Sequence, residues 1–190
     1  MSAMDWFNKG IQYSEAKEHD KAIEAYTKVI ALENPSLEPG LSGNIHALSY
    51  HNRGNAYNHK GQYDRAIEDY DKAIQLDPDY APAYGNRGSA YVYKSQYDRA
   101  IEDFNKAIKL NPNYAIAYGN RGHAYSKKGQ CYRAIEDYNK AIQLDSNFTN
   151  AYGNRASCYL RIGDRNRAIA DYRKACDLGW CAGWEWIKNH

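Results

Sequence analysis

One pentapeptide pattern returns along this chain at a fixed step, and that step limits the fold more than any other property of the sequence. Tyr84-Gly85-Asn86-Arg87-Gly88, Tyr118-Gly119-Asn120-Arg121-Gly122 and Tyr152-Gly153-Asn154-Arg155-Ala156 follow one another every 34 residues. Tyr50-His51-Asn52-Arg53-Gly54 precedes them at the same interval. A second pattern keeps pace: Arg65-Ala66-Ile67-Glu68-Asp69-Tyr70 recurs at 99–104, 133–138 and 167–172, and Lys21-Ala22-Ile23-Glu24-Ala25-Tyr26 is an earlier copy. A period this long means one supersecondary unit used repeatedly.

Numbering each unit from slot 1 places the units at about 3–36, 47–80, 81–114, 115–148 and 149–182. Slot 8 is small: Gly10, Gly54, Gly88, Gly122 and Ala156. Slot 20 is always Ala: Ala22, Ala66, Ala100, Ala134 and Ala168. Aromatic rings fill slot 4 (Trp6, Tyr50, Tyr84, Tyr118, Tyr152), slot 11 (Tyr13, Tyr57, Tyr91, Tyr125, Tyr159) and slot 24 (Tyr26, Tyr70, Phe104, Tyr138, Tyr172). Slots 4, 8 and 11 share one helical face, as do slots 20, 24, 27 and 28, so each unit reads as two helices. The turn between them falls at Gly61, Gly129 and Gly163, with Ser95 in that place once. Asp77-Pro78 and Asn111-Pro112 stop the second helix. Small residues at slots 8 and 20 let the backbones approach, and the rings fill the space around the contact. These slots take 13 of the 19 Tyr, and slots 17 and 34 take four more (Tyr63, Tyr97, Tyr80 and Tyr114), leaving Tyr93 and Tyr132.

These residues resemble the tetratricopeptide repeat family, whose pattern is aromatic-x2-Leu-Gly-x2-Tyr, Ala-x3-aromatic, then Pro. The resemblance covers about residues 3–182. It implies an all-α fold: an α-solenoid, a right-handed superhelix of five helix-turn-helix units with a C-terminal cap at 183–190, together one domain over 1–190. The chain departs from the family in four ways. Arg53, Arg87, Arg121 and Arg155 replace Leu at slot 7. Ser146 replaces a terminal Pro. Cys131-Tyr132 replaces Tyr-Asp. An insert at 37–46 carries the turn dipeptides Pro39-Gly40 and Ser42-Gly43, and reads as a loop or as an extension of the flanking helices.

In the family, slots 2, 5, 6, 9, 12 and 13 line a concave groove. Slot 6 here is Asn52, Asn86, Asn120 and Asn154. An Asn amide both donates and accepts, so a row of them suits the backbone of an extended peptide. The row is similar to the asparagine ladder of the repeat domain of O-GlcNAc transferase. The alternative is that each Asn bonds a neighbouring repeat. His51, Asn55, Ser89, Tyr93, His123 and Lys127 complete the expected peptide-binding set. Gly at slot 5 (Gly85, Gly119, Gly153) is expected to leave room for a ligand backbone. The carboxylate clamp of the co-chaperone type is matched only at Asn55 and Asn86, because its cationic places hold His51, Ile116 and Asn120. The Arg row reads as ion pairs to slots 22 and 23, such as Glu68 or Asp69. If His51, His59 and His123 face the groove, an acidic ligand should bind more tightly toward about pH 6.

Repeat arrays need an end cap. Trp184 and Ile187, three residues apart, can form it, while Trp180, Trp184 and Trp186 can instead form a self-association patch. No motif for nucleophilic, phosphate or zinc chemistry occurs, so neither an enzyme, a metal site nor a cofactor is expected. His51 and His59 are about 12 Å apart along one helix, too far to share a metal. Net charge is +2 and mean hydropathy is −0.86, which gives neither a nucleic-acid nor a membrane signature. The expected partner is a protein or peptide, with homo-oligomerisation through the terminal faces as the second reading. With no visible export signal, the chain is expected to be cytoplasmic, and Cys131, Cys158, Cys176 and Cys181 to be reduced thiols, with a Cys176–Cys181 bridge as the lesser alternative.

Overall fold

The computed structural model describes residues 1–32 and 39–189. Every regular element among them is a helix: α1 (Ala3–Glu15), α2 (His19–Ala31), α3 (Pro39–His59), α4 (Tyr63–Leu76), α5 (Ala81–Tyr93), α6 (Tyr97–Leu110), α7 (Ala115–Lys127), α8 (Cys131–Leu144), α9 (Thr149–Arg161), α10 (Arg165–Asp177) and α11 (Ala182–Asn189). They form two compact units, Met1–Gln96 and Tyr97–His190. The division falls inside the third repeat, between α5 and α6. The insert expected at 37–46 is helical from Pro39, where it lengthens the first helix of the second repeat. The rest of it lies outside the described residues.

Within each repeat the helix pair closes as the small slots predict. A Cβ added at Gly10 would lie 2.5 Å from the Tyr26 ring, at Gly54 2.8 Å from Tyr70, and at Gly122 2.9 Å from Tyr138. All five rings at slot 24 are buried, as are all five Ala at slot 20. Three of the four Tyr hydroxyls of slot 24 have partners, and Tyr138 Oη has none among the described residues. Tyr70 Oη donates to Asn55 Oδ1 at 2.8 Å. Tyr26 Oη pairs with Ser14 Oγ, and Tyr172 Oη with Ser157 Oγ.

The turn after the first helix needs a left-handed residue. Gly61, Gly129 and Gly163 supply it, but Lys17 and Ser95 adopt φ 59° without being glycine. Left-handed backbone strains a side chain by about 1 kcal/mol. Lys17→Gly is therefore expected to raise the stability of the first unit by roughly 0.5 kcal/mol after the entropy cost of Gly, read from denaturant midpoints. The second helix stops on a side-chain turn. Asp77, Asn111 and Asp145 each accept from the backbone N–H two residues on, at 3.0–3.1 Å. That device is present beside Ser146 as beside Pro78 and Pro112, which explains why the missing Pro costs the fourth repeat nothing in geometry.

Neighbouring repeats are joined along one edge. Lys60 pairs with Asp20, Lys94 with Asp64 and Lys128 with Asp98. Beside two of these, rings stack face to face: His19 on His59 at 5.1 Å and Tyr63 on Tyr93 at 4.9 Å. The fifth repeat docks differently. Tyr132 stands where Asp would be and is 73% exposed, while Ile162 stands where Lys would be and packs into the core of Tyr97–His190.

The C-terminal cap forms as predicted. Ile187 is buried and Trp184 packs against the same cluster, with Lys188 over the Trp184 ring. One expectation fails here. Cys176 and Cys181 are joined in a disulfide, because the left-handed Gly179 folds the chain back and brings their Cα atoms to 4.0 Å. Cys131 and Cys158 are free thiols, both buried.

Candidate functional site

The Arg row is structural. Arg53, Arg121 and Arg155 each grip an Asp of slot 23 through two nitrogens: Arg53 with Asp69 at 2.8 and 2.7 Å, Arg121 with Asp137 at 2.8 and 2.6 Å, and Arg155 with Asp171 at 2.7 Å twice. A third nitrogen reaches back to the preceding repeat, at Thr27, Asn105 and Asn139 respectively. The slot 4 rings Tyr50, Tyr118 and Tyr152 lie 5.4–5.5 Å from these guanidinium groups, and Arg87 sits likewise over Tyr84. Many of the Tyr are thus cation partners as well as filler.

The slots assigned to ligand binding converge in the first unit. Ile11, Ser14 and Glu15 of α1 are slots 9, 12 and 13, while Asn52, Asn55 and His59 of α3 are slots 6, 9 and 13. Together with His19, Tyr26 and Ala56 they line one cavity of about 270 Å³. Sequence reasoning places Asn52 and Asn55 on this face but misses Ser14, Glu15 and His19. The same slot count, carried into the divergent first repeat, finds the first two.

A hydrogen-bond network crosses from α3 to α5 beside the cavity. Asn86 Nδ2 donates to Asn55 Oδ1 at 2.8 Å and to His51 Nε2 at 2.9 Å. His51 Nδ1 lies 3.2 Å from Asn52 Oδ1. Nε2 must accept, so the proton sits on Nδ1, a tautomer assigned from this network. Both Asn86 amide hydrogens are therefore spent between repeats, and its carbonyl oxygen is what it has to offer. His51 is only 6% exposed. Burial holds its imidazole down at about 4, and burial with the nearby Lys127 charge lowers His123 as well. This corrects the expected pH dependence at His51, which is too poorly solvated to gain charge near pH 6, and the shift at His123 runs in the same direction.

In Tyr97–His190 the glycines of slot 5 are not open. Phe148 lies over Gly119 and Trp180 over Gly153, and a Cβ there would come within 2.6 and 2.8 Å of those rings. Glycine makes way for an aromatic ring of its own repeat, not for a ligand. Asn120 and Asn154 are half-buried on this face. Ser89 Oγ is turned onto the Gly85 carbonyl. Tyr93 is 64% exposed, with one ring face covered by Tyr63. Among the described residues no three His, Cys, Asp or Glu are placed to hold a metal, and no helix is long and apolar enough to cross a membrane.

Models described as tetratricopeptide repeat match residues 47–80 and 115–148, 69–102, and 6–35 and 149–178. A model described as TPR repeat matches 88–129. The chain belongs to the tetratricopeptide repeat family. This TPR protein is 30% identical to MamA of a solved crystal structure, with a TM-score of 0.74 over 93% of this chain and 91% of that one. It is 31% identical to the first TPR of Spaghetti (RPAP3) bound to the HSP90 peptide SRMEEVD, with a TM-score of 0.61 over 63% of this chain and 94% of that one. YrrB, described as a TPR protein with an unusual peptide-binding site, shares the fold at 22% identity, with a TM-score of 0.74 over 100% of this chain and 93% of that one. No curated protein matches the sequence.

Proposed function

We propose that this TPR protein is a non-catalytic interaction module that captures an extended segment of a partner protein on the first-helix faces of its repeats. The observation that carries this reading is the α1–α3 cavity, which gathers ligand-face slots of two successive repeats and presents the amides of Asn52 and Asn55 within it. Two relatives described as peptide-bound or peptide-binding support it. Asn154 is the cleanest position for a test, since no hydrogen bond joins its side chain to any other described residue. Asn154→Ala combined with Asn52→Ala should weaken capture of the partner in a cross-linking pull-down from native lysate, while far-ultraviolet circular dichroism stays unchanged. Undiminished capture would make the Asn row structural.

A second reading rests on the exposed rings of Trp180 and Trp186, which suit stacking of one copy on another through the terminal faces. Sedimentation that remains monomeric at high concentration would end it. The cytoplasmic setting belongs to the same proposal; the Cys176–Cys181 disulfide argues instead for an oxidising compartment, and cell fractionation decides between them.

A further inference from the structure

On α7 and α9 the ligand-face slots hold no carboxylate at all. Their two full charges are Lys127 and Arg161, both at slot 13. Lys128, the next residue along, is neutralised by Asp98, and Arg121 and Arg155 by Asp137 and Asp171. Lys127 and Arg161 have no acidic partner among the described residues. Arg161 is nonetheless held in place, its Nη1 donating to the Ser126 carbonyl at 2.8 Å, which brings the guanidinium to the last turn of α7, where Lys127 stands. The positive field there reaches His123, whose protonation Lys127 opposes.

The opposite end of the same face is apolar. Ile116 is 55% exposed and Trp180 42% exposed, and Phe148 lies over Gly119. Ile116 and Lys127 stand at the two ends of α7, about 16 Å apart by helix rise. One surface thus offers an apolar margin and a cationic margin. In an extended strand successive side chains point to opposite sides, so a segment alternating acidic with apolar residues would satisfy both margins.

We propose that the α7–α9 face takes a partner segment whose acidic side chains meet Lys127 and Arg161 and whose apolar side chains meet Ile116 and Trp180. The proposal rests on the peptide-capture reading above and names the chemistry of the partner. It does not use the carboxylate-clamp slots, since both cations stand at slot 13.

The test uses the full chain and short fluorescein-labelled peptides repeating Leu-Glu-Ser-Gly, with counterparts in which Glu is replaced by Gln or by Lys. The Glu peptide should bind at least about ten-fold more tightly than the Gln peptide, and the margin should shrink as salt is raised. Lys127→Glu, at an exposed position, should remove that margin. Adding Arg161→Glu should transfer the preference to the Lys peptide, and Arg161→Gln serves if the charge reversal disturbs folding. Equal binding of all three peptides, unaffected by Lys127→Glu, would overturn the charge assignment. The capture reading would survive that result if Asn154→Ala weakened all three alike. Failure of every peptide to bind would overturn the proposal, while the capture reading stands or falls on the pull-down with the Asn52 and Asn154 variants. Displacement of the Glu peptide by a single-stranded oligonucleotide of equal charge would make the surface a general anion site and also overturn the proposal.

Discussion

Between pH 7 and pH 4 one imidazole, that of His51, is expected to withdraw about 3 kcal/mol of stability from the Met1–Gln96 unit, with the raised Asp69 carboxyl acting in the opposite sense. His51 has its pKa held at about 4 by burial, against an ordinary 6.5. A depressed pKa means that the unfolded chain takes up the proton first. The stabilising difference is complete above pH 6.5 and is lost as the pH falls toward 4, at about 1.4 kcal/mol for each pH step of one between the two values. The structure supplies the mechanism. Nε2 accepts from Asn86, and a proton placed there would face the Asn86 amide hydrogen. Protonation would therefore break the link between the second and third repeats. Hydrogen exchange at the amides of α3 and α5, followed by mass spectrometry across this pH range, should show protection falling with pH. His51→Leu should flatten that slope. A wild-type protein with no slope would refute the assignment.

Arg121→Ala is expected to cost the Tyr97–His190 unit about 3 kcal/mol or more. The substitution strips Asp137 of two charge-assisted hydrogen bonds and leaves a carboxylate with little water to replace them. Burial already pushes the Asp137 carboxyl above its usual range, with the Arg121 guanidinium pulling against that push. Without Arg121 the carboxyl rises further. A raised pKa contributes stability that is present at low pH and lost as the pH climbs through it. The variant should thus recover part of its loss on acidification toward the carboxylate range, opposite in sign to the His51 effect. Arg121→Leu with Asp137→Leu should cost much less than Arg121→Ala, because no unpaired buried charge remains. Urea denaturation of the three proteins at several pH values decides the matter. A double variant as unstable as the single one would show that packing of the Arg stem, not the charge, holds the site.

The helix pair is legible in the sequence because close packing restricts residue type in every unit: Gly10 with Tyr26 and Gly122 with Tyr138 leave room for nothing larger. The Arg–Asp grips are legible for a similar reason, since both partners recur at fixed slots. The state of the ligand face is less so. Gly119 and Gly153 show that side chains are missing, but not that Phe148 and Trp180 swing across the gap. Which ring covers a glycine depends on the path of the chain after α8 and α10, and periodicity within one helix does not encode that path. His51 misleads on the same ground. Its slot faces a ligand in the family pattern, yet here Tyr80 packs edge-on against it at 5.0 Å and takes it out of solvent.

The docking of the last repeat has a consequence for how the array keeps its order. Lys–Asp contacts make the earlier junctions interchangeable in principle, as couplings of a single gauge. A repeat excised from the middle and grafted after the fourth would present Lys to Tyr132, and the fifth repeat moved forward would present Ile162 to an Asp. Tyr132 and Ile162 therefore set the last junction apart: the fifth repeat is joined by apolar packing of Ile162 and is not interchangeable with the repeats before it.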